Sequence, residues 1–379
     1  MLHPFSSSPR QLVLLAAGAV VLVALAIAPG ASADASHTTR PAARQASVGL
    51  GPAGGYTPED LSVAYQFSPA VSRTGQLVAV VSWFDDPKIR ANLTTFDHEY
   101  GIRADTASSF RVVDQAGKKS PLPSSSKGKH TSQQTATQVE AVRGVCNTCR
   151  IVLVEAKSGS LANIAAAERT AGRLGATVIV NALATPEKEV STSVRKAFTQ
   201  PGVVITAPAG DRGWYGMDAA FDSGGTSVSL PSFPASDPSV VAVGGTTLAL
   251  NNDGSRAEEF VWNADGKSGA TGISSSRGLG ATGGGCSKRY AAAAFQRAAP
   301  GYSAAGCSGK RLVADVAADA DSSFGGLDVY DSWGHSGWLT TGGDGLATAL
   351  VGGMYALAGG APGAVYPADA AYENSARFP

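Results

Sequence analysis

Ile151-Val152-Leu153-Val154-Glu155-Ala156, then the run Leu161 to Leu174, then Thr177-Val178-Ile179-Val180: the reading of this stretch decides the architecture of the 379-residue chain. The two short runs are apolar at odd and even positions alike, so a strand built from either must be covered on both faces. Between them the apolar residues fall at helical spacing. The pattern extends outward in both directions. Upstream, Thr131 to Val145 reads as a helix and Gln76 to Trp83 as a buried strand that ends at Asp85-Asp86-Pro87. Beyond it Ile89, Leu93 and Phe96 mark a helix running to Tyr100, with Asp86 as its cap. Thr57 is placed to cap a short helix that has Pro58 at its first position. Downstream, Val190 to Phe198 reads as a helix and Val203 to Thr206 as a strand. Strands and helices in turn predict an α/β fold, a parallel sheet with helices on both faces. Ligands in such folds lie at the carboxyl ends of the strands, so the loops after Ala156, Val180 and Pro208 are the expected cleft, with Ala209-Gly210-Asp211-Arg212-Gly213 as its most conspicuous turn. From Thr246 the pattern loosens. Residues 263–285 read as a long surface loop, and 116–134, with Lys118, Lys119, Lys127 and Lys129, as a solvated one.

Thirty basic and thirty acidic residues leave no net charge, which removes the electrostatic case for nucleic acid or an anionic membrane surface as partner. Apolar residues at 44% are enough for a large core, and charged residues at 16% with 46 glycines suit a compact exported protein. The N-terminus carries an export pattern: Arg10, the apolar run Leu12 to Ala28, the break Pro29-Gly30 and the small-x-small site Ala31-Ser32-Ala33. Residues 1–33 are therefore expected to be a signal peptide, 34–55 a flexible leader, and the mature chain a secreted, extracellular protein beginning at Asp34. A retained membrane anchor is the competing reading, on a run at the short limit for a span. Cys146, Cys149, Cys286 and Cys307 are an even set in an oxidising compartment, so disulfides are expected. Two alternatives stay open here. A four-Cys zinc site lacks the second CxxC, and a redox pair at Cys146-Asn147-Thr148-Cys149 would precede a strand instead of opening a helix.

Near the C-terminus, Gly342-Gly343-Asp344-Gly345 leads into the small and apolar run Leu346 to Met354. A side chain in the first turn of such a buried helix sits at the positive end of its dipole, beside backbone N–H groups suited to an oxyanion. The position at the turn is Gly345, which has no side chain, and Asp344 precedes it.

Several stretches in chain order resemble the sedolisins, or serine-carboxyl peptidases, of the short secreted bacterial type. They include Tyr56 to Leu61, Val78 to Pro87, Cys146-x-x-Cys149-x-Ile151 to Ala156, and Gly210-Asp211-x-Gly213. Pro234-Ala235-Ser236-x-Pro238, Ala242 to Leu248, Gly285-Cys286-Ser287, Val313 to Val316 and Val329-Tyr330-Asp331 continue the series to about Tyr372. The resemblance implies a subtilisin-like fold in one large domain, 56–379. It also implies a serine nucleophile, a Glu base oriented by an Asp four residues later, and an Asp in the oxyanion hole, a set that suits chemistry in acid.

Carried over position by position, the oxyanion Asp is kept as Asp211. The base and its partner fall at Gln134 and Gln138, one helical turn apart, and the nucleophile at Gly345, with Ala349 in place of a proline. A neutral amide accepts no proton at useful pH, so neither glutamine can activate a nucleophile. The family's Ser-Asn-Ser-Tyr-Gly strand end reads Val180-Asn181-Ala182-Leu183-Ala184. The chain ends at Pro379, short of the family's calcium segment, so neither calcium nor another cofactor is expected. Family pairing and sequence proximity imply the disulfides Cys146–Cys149 and Cys286–Cys307. Among the histidines of the mature chain, His37, His98, His130 and His335, His98 and His130 read as surface residues instead of bases. Asp344 acting on water opposite a protonated Asp211 is a further arrangement to weigh. The expected function is a secreted pseudopeptidase that binds a peptide or protein ligand. The alternatives are an endopeptidase working in acid with relocated residues, and a decayed product without function.

Overall fold

The computed structural model describes residues 50–70, 76–102, 106–216, 230–263 and 280–374. The chain divides into two units, Met1–Ala42 and Ala43–Pro379, and all described residues belong to the second. The expected signal peptide, most of the leader and His37 lie outside them.

The first helix, α1 (Pro58–Ala64), begins as its sequence dictates. Thr57 Oγ1 accepts the Asp60 N–H while Asp60 Oδ2 accepts the Thr57 N–H, and Pro58 occupies the first turn. Next come β1 (Leu77–Trp83), α2 (Ile89–Glu99), α3 (Thr106–Ser109) and β2 (Phe110–Asp114). A 3-10 helix, Ser125–His130, runs into α4 (Ser132–Val145), followed by β3 (Arg150–Ala156), α5 (Leu161–Arg173) and β4 (Val178–Asn181). Then follow β5 (Thr185–Pro186), α6 (Thr192–Ala197), β6 (Val204–Pro208), β7 (Arg212–Trp214) and β8 (Ser232–Phe233). The chain continues through β9 (Val241–Leu250), β10 (Arg256–Val261), β11 (Ala281–Ala291), α7 (Ala294–Ala298), β12 (Lys310–Val313) and β13 (Val316–Asp319). It closes with β14 (Leu327–Asp331), β15 (Gly337–Thr341), α8 (Asp344–Leu357) and α9 (Asp369–Glu373).

The main sheet has eight strands in the order β10-β9-β6-β4-β1-β3-β2, with β13 also on β9. Every pairing is parallel except β10 with β9. Its central strands β1, β4 and β6 bury both faces, as their apolar runs require, while the edge strand β10 is largely exposed. Val78, Val80, Val178 and Val180 pack into one core with Leu346 and Leu350 of α8 and Val139 and Val142 of α4. Ala79, Val81, Ile179 and Ile205 pack into the other with Ile164 of α5, Phe198 and Phe233. Each fully buried aliphatic side chain contributes about 1.5–3 kcal/mol, so these two layers dominate the stability of the domain. Close approach is needed around α8: a Cβ at Gly352 would lie 2.5 Å from Val180 Cγ2, and one at Gly353 2.7 Å from Val145 Cβ.

The four cysteines form Cys146–Cys149 and Cys286–Cys307, and no free cysteine is present among the described residues. This overturns the zinc alternative. The redox alternative also loses its basis: Cys146 is the C-cap of α4, and both sulfurs of its pair are buried.

Four expectations are corrected. The part of 263–285 that is described is not loop throughout, because β11 starts at Ala281 and pairs with β12 and β7. The loop expected over 116–134 ends early in the 3-10 helix and α4, and Lys129 Nζ lies 4.9 Å from the Trp333 ring centroid. Asp86 does not cap α2. Its Oδ1 accepts the Lys88 N–H at 2.9 Å, a turn that precedes the helix, whose N-cap is Lys88. Order does not begin at Tyr56 either: Ala53 N and Gly55 N, at 2.5 and 2.7 Å, donate to the two carboxylate oxygens of Asp328 on β14.

Candidate active-site cleft

A cleft of about 590 Å³ opens at the carboxyl ends of β1, β4 and β6. Ala182–Pro186 form one wall and Pro208–Gly213 another, while the first turns of α4 and α8 bring in Gln134 and Gly345. The loops after β4 and β6 therefore reach the cleft as expected. The loop after β3 does not. Its Gly159 packs against the ring of Trp83, a Cβ there falling 3.2 Å from it, and Trp83 itself lines the cleft.

The helical period of α4 puts Gln134 and Gln138 on one face, toward the end of β4. Gln134 Nε2 donates to Ala182 O at 2.8 Å and Gln138 Nε2 donates to Asn181 O at 2.9 Å. Gln134 is half-buried at the cleft, and Gln138 lies fully buried behind it. On the far side of β4, Asn181 Nδ2 donates to Glu168 Oε1 at 2.6 Å. Burial pushes the Glu168 carboxyl up to about 8, against the lowering effect of that bond.

At the other end of the cleft, Asp211 follows Gly210 in the turn after β6, and its Oδ1 accepts the N–H of Asp344 at 2.7 Å, at the head of α8. The residue as a whole is exposed to the cleft, but its carboxyl packs over Gly343, where a Cβ would come within 3.1 Å of Oδ2. That packing governs its titration: burial raises it above the ordinary range, opposed by the Asp344 N–H and Arg212. Gly343 has φ 82°, a left-handed conformation that leaves glycine as the residue able to bring α8 against Asp211.

The side chain of Asp344 turns away from the cleft. Its Oδ2 accepts from Thr282 Oγ1 at 3.0 Å and from Gly283 N at 3.4 Å, both on β11, while Thr282 Oγ1 accepts the Gly245 N–H at 2.7 Å. Asp344 Oδ1 is buried without a hydrogen-bond partner. Burial, then the nearby Asp211 charge, hold its carboxyl well above the usual range. An Asp344–Asp211 pair acting on a water in the cleft is therefore corrected, because Asp344 is fully buried and faces β11.

Gly345 borders the cleft, and a Cβ built there meets nothing within 4 Å. The space beside position 345 is thus open, at the N-terminal turn of a 14-residue helix. His98 and His335 are exposed. His130 is exposed as expected, but it also lines the cleft, a place that the sequence reading missed. The signal was there in its position one turn before Gln134, since the 3-10 helix continues the helical path. Thr137 and Thr341 were missed too. Their hydroxyls lie 2.9 Å apart, and Thr137 Oγ1 donates to Gln133 O at 2.7 Å, so they are engaged with one another and with backbone. Among the described residues, no group of three or more His, Cys, Asp or Glu side chains converges as a metal-ligand set. Chemically the cleft offers hydrogen-bonding walls and apolar surface from Leu183, Pro186 and Leu230.

Fold and cleft together define a subtilisin-like α/β architecture in one domain. The chain is 33% identical to sedolisin of Pseudomonas sp. (strain 101) over 155 residues, which are 41% of this chain and 24% of that protein. The match thus spans about a quarter of the curated relative's length. Among solved structures, Pseudomonas sedolisin (serine-carboxyl proteinase) complexed with two molecules of pseudo-iodotyrostatin superposes with a TM-score of 0.69, at 23% identity over 87% of each chain. Sphericase gives a TM-score of 0.47 at 16% identity over 84% of this chain and 89% of that one. No protein-family model matches the chain.

Proposed function

We propose that the chain is a secreted, catalytically silent member of the sedolisin family that binds peptides in this cleft. The observation that carries the reading is Gly345: the nucleophile's place faces the cleft, has room for a side chain, and holds none. Losing the nucleophile of an acyl-transfer site lowers turnover by about a millionfold, and losing its base as well adds little, because the groups work as a unit. Gln134 and Gln138 stand where the resemblance puts the base and its partner, and each donates one amide N–H to a backbone carbonyl.

The partner is a peptide or an exposed protein segment, and no cofactor takes part. Residues 1–33 act as the signal peptide and the stretch after them as a leader, and the binding domain begins before Tyr56, with the segment that Asp328 holds at Ala53 and Gly55. Two disulfides support an oxidising, extracellular destination.

The test is hydrolysis of a mixed peptide library from acidic to neutral pH. The purified natural chain is run beside a triple variant with Gly345→Ser, Gln134→Glu and Gln138→Asp. Cutting by the triple variant alone, in acid, is the expected outcome. Cutting by the natural chain that an Asp211→Asn change abolishes would overturn the reading in favour of a working endopeptidase.

A further inference from the structure

The two glutamines do more than lack basicity. They donate to consecutive backbone carbonyls, Asn181 O and Ala182 O, where β4 ends and the cleft wall Ala182–Ala184 begins. A carbonyl oxygen only accepts, so the partner must be a donor. An amide N–H₂ donates at any pH, whereas a carboxyl group donates only while protonated and, once ionised, sets oxygen against oxygen. The orientation of Gln138 is determined by the same logic. Its Oε1 is buried without a partner, and a flipped amide would place that oxygen against Asn181 O.

The structure assigns Gln134 and Gln138 a positioning role: they clamp the Asn181–Ala184 wall at every pH, a task that carboxyl groups at the same two places perform only in acid. The role serves binding only if the cleft takes peptides, as proposed above.

Several titratable groups surround the clamp. Glu168 holds Asn181 from α5, and His130 and Asp211 line the cleft. Asp344 opens α8, which packs on α4. On α4 itself, Glu140 accepts the Tyr330 N–H of β14, and Arg143 bonds Ser109 and lies 3.5 Å from Asp97 of α2. These groups are the same in the natural chain and in a glutamine variant, so the difference between the two reports the installed carboxyl together with its coupling to them.

The experiment compares the natural chain with Gln134→Glu, Gln138→Glu and Gln138→Met. Tm is measured from pH 4 to 8, together with affinity for two probes, pseudo-iodotyrostatin and a random octapeptide library. Relative to the natural chain, each Glu variant should match in acid and fall away as pH rises past the ordinary glutamate range near 4.3, since the folded state must hold the proton. Probe affinity of Gln134→Glu should drop about tenfold across the range, the worth of one lost hydrogen bond. Gln138→Met, which has no donor, should be lowered by a similar amount at each pH. Glu variants whose Tm and affinity run parallel to the natural chain would overturn the clamp. If Gln138→Glu does not fold, Gln134→Glu, at the cleft edge, carries the test alone. If neither probe binds the natural chain at any pH, the peptide reading falls, while the Tm differences still decide the clamp.

Discussion

The two ends of the cleft solve the same problem with different chemistry. At the head of α8, a carboxyl side chain, Asp211, holds a backbone N–H, with a second carboxyl, Asp344, buried behind it. At the face of α4, two amides hold backbone carbonyls, and Gln138 is as deeply buried as Asp344. Acceptors sit where the partner is a helix N-terminus, and donors where the partner is the end of a strand. The side chains that make the bonds at one end can take up a proton, and the amides that make them at the other cannot. Amides at α4 offer no proton-transfer chemistry and still hold the wall of the cleft.

The comparison is sharpened first by titrating the whole protein. Burial is the first cause that raises Glu155 to about 9, Glu168 and Asp319 to about 8 and Asp86 to about 6, and it raises Asp344 and Asp211 as well. A carboxyl whose folded value exceeds its unfolded value near 4 makes the folded state bind more protons, so its stabilisation is complete below that value and is lost as pH rises. Tm should be highest near pH 4 and fall through pH 6 to 9, which calorimetry at fixed ionic strength measures. A Tm that rises from pH 4 to 8 would contradict this.

The carboxyl end is broken most directly by Gly343→Ala, which puts a Cβ about 3.1 Å from Asp211 Oδ2 on a backbone at φ 82°. The expected loss is about 1–3 kcal/mol in denaturant unfolding. No loss would mean that α8 can retreat from Asp211 freely. The smallest effect is expected from Asp344→Asn, which makes the α8 end resemble the α4 end. Asn keeps an acceptor for Thr282 and Gly283 and cannot ionise. The variant should equal the natural chain near pH 4 and exceed it in Tm at pH 8. A variant weaker at pH 8 would show that the ionised form of Asp344 is favoured in the folded protein.

How much of this was legible beforehand depends on where each residue finds its partners. α8, α4 and the strands β1, β3, β4 and β6 were readable because their apolar periodicity is a local property of the chain. β11 was not. Gly283, Gly284 and Gly285 give no strand signal, and the pairing comes from β7 and β12, strands distant in sequence. Asp86 was misread as a helix cap because one carboxylate can bond an N–H two residues on in a turn as readily as one at a helix start. At the cleft, positions 134, 138, 211 and 345 were placed by pattern, and Gln134, Asp211 and Gly345 do line it. The direction of the Asp344 side chain and the nearness of His130 are tertiary facts: the first follows from Thr282, the second from how the 3-10 helix packs under Trp83, whose carbonyl accepts from Thr131 Oγ1 at 3.1 Å.

The Asp328 clasp on Ala53 and Gly55 joins points 275 and 273 residues apart, and Tyr56 pairs with Leu327 beside it. Chains are made from the N-terminus onward, so this segment emerges long before the strand that secures it. Contacts this distant form late, because the loop they close must be ordered first. Residues 50–56 are therefore among the last to seat. Until β14 is in place they stay open to any processing enzyme, and afterwards the backbone of 53–55 is held by its own amide protons, setting a natural limit to how far the N-terminus can be trimmed.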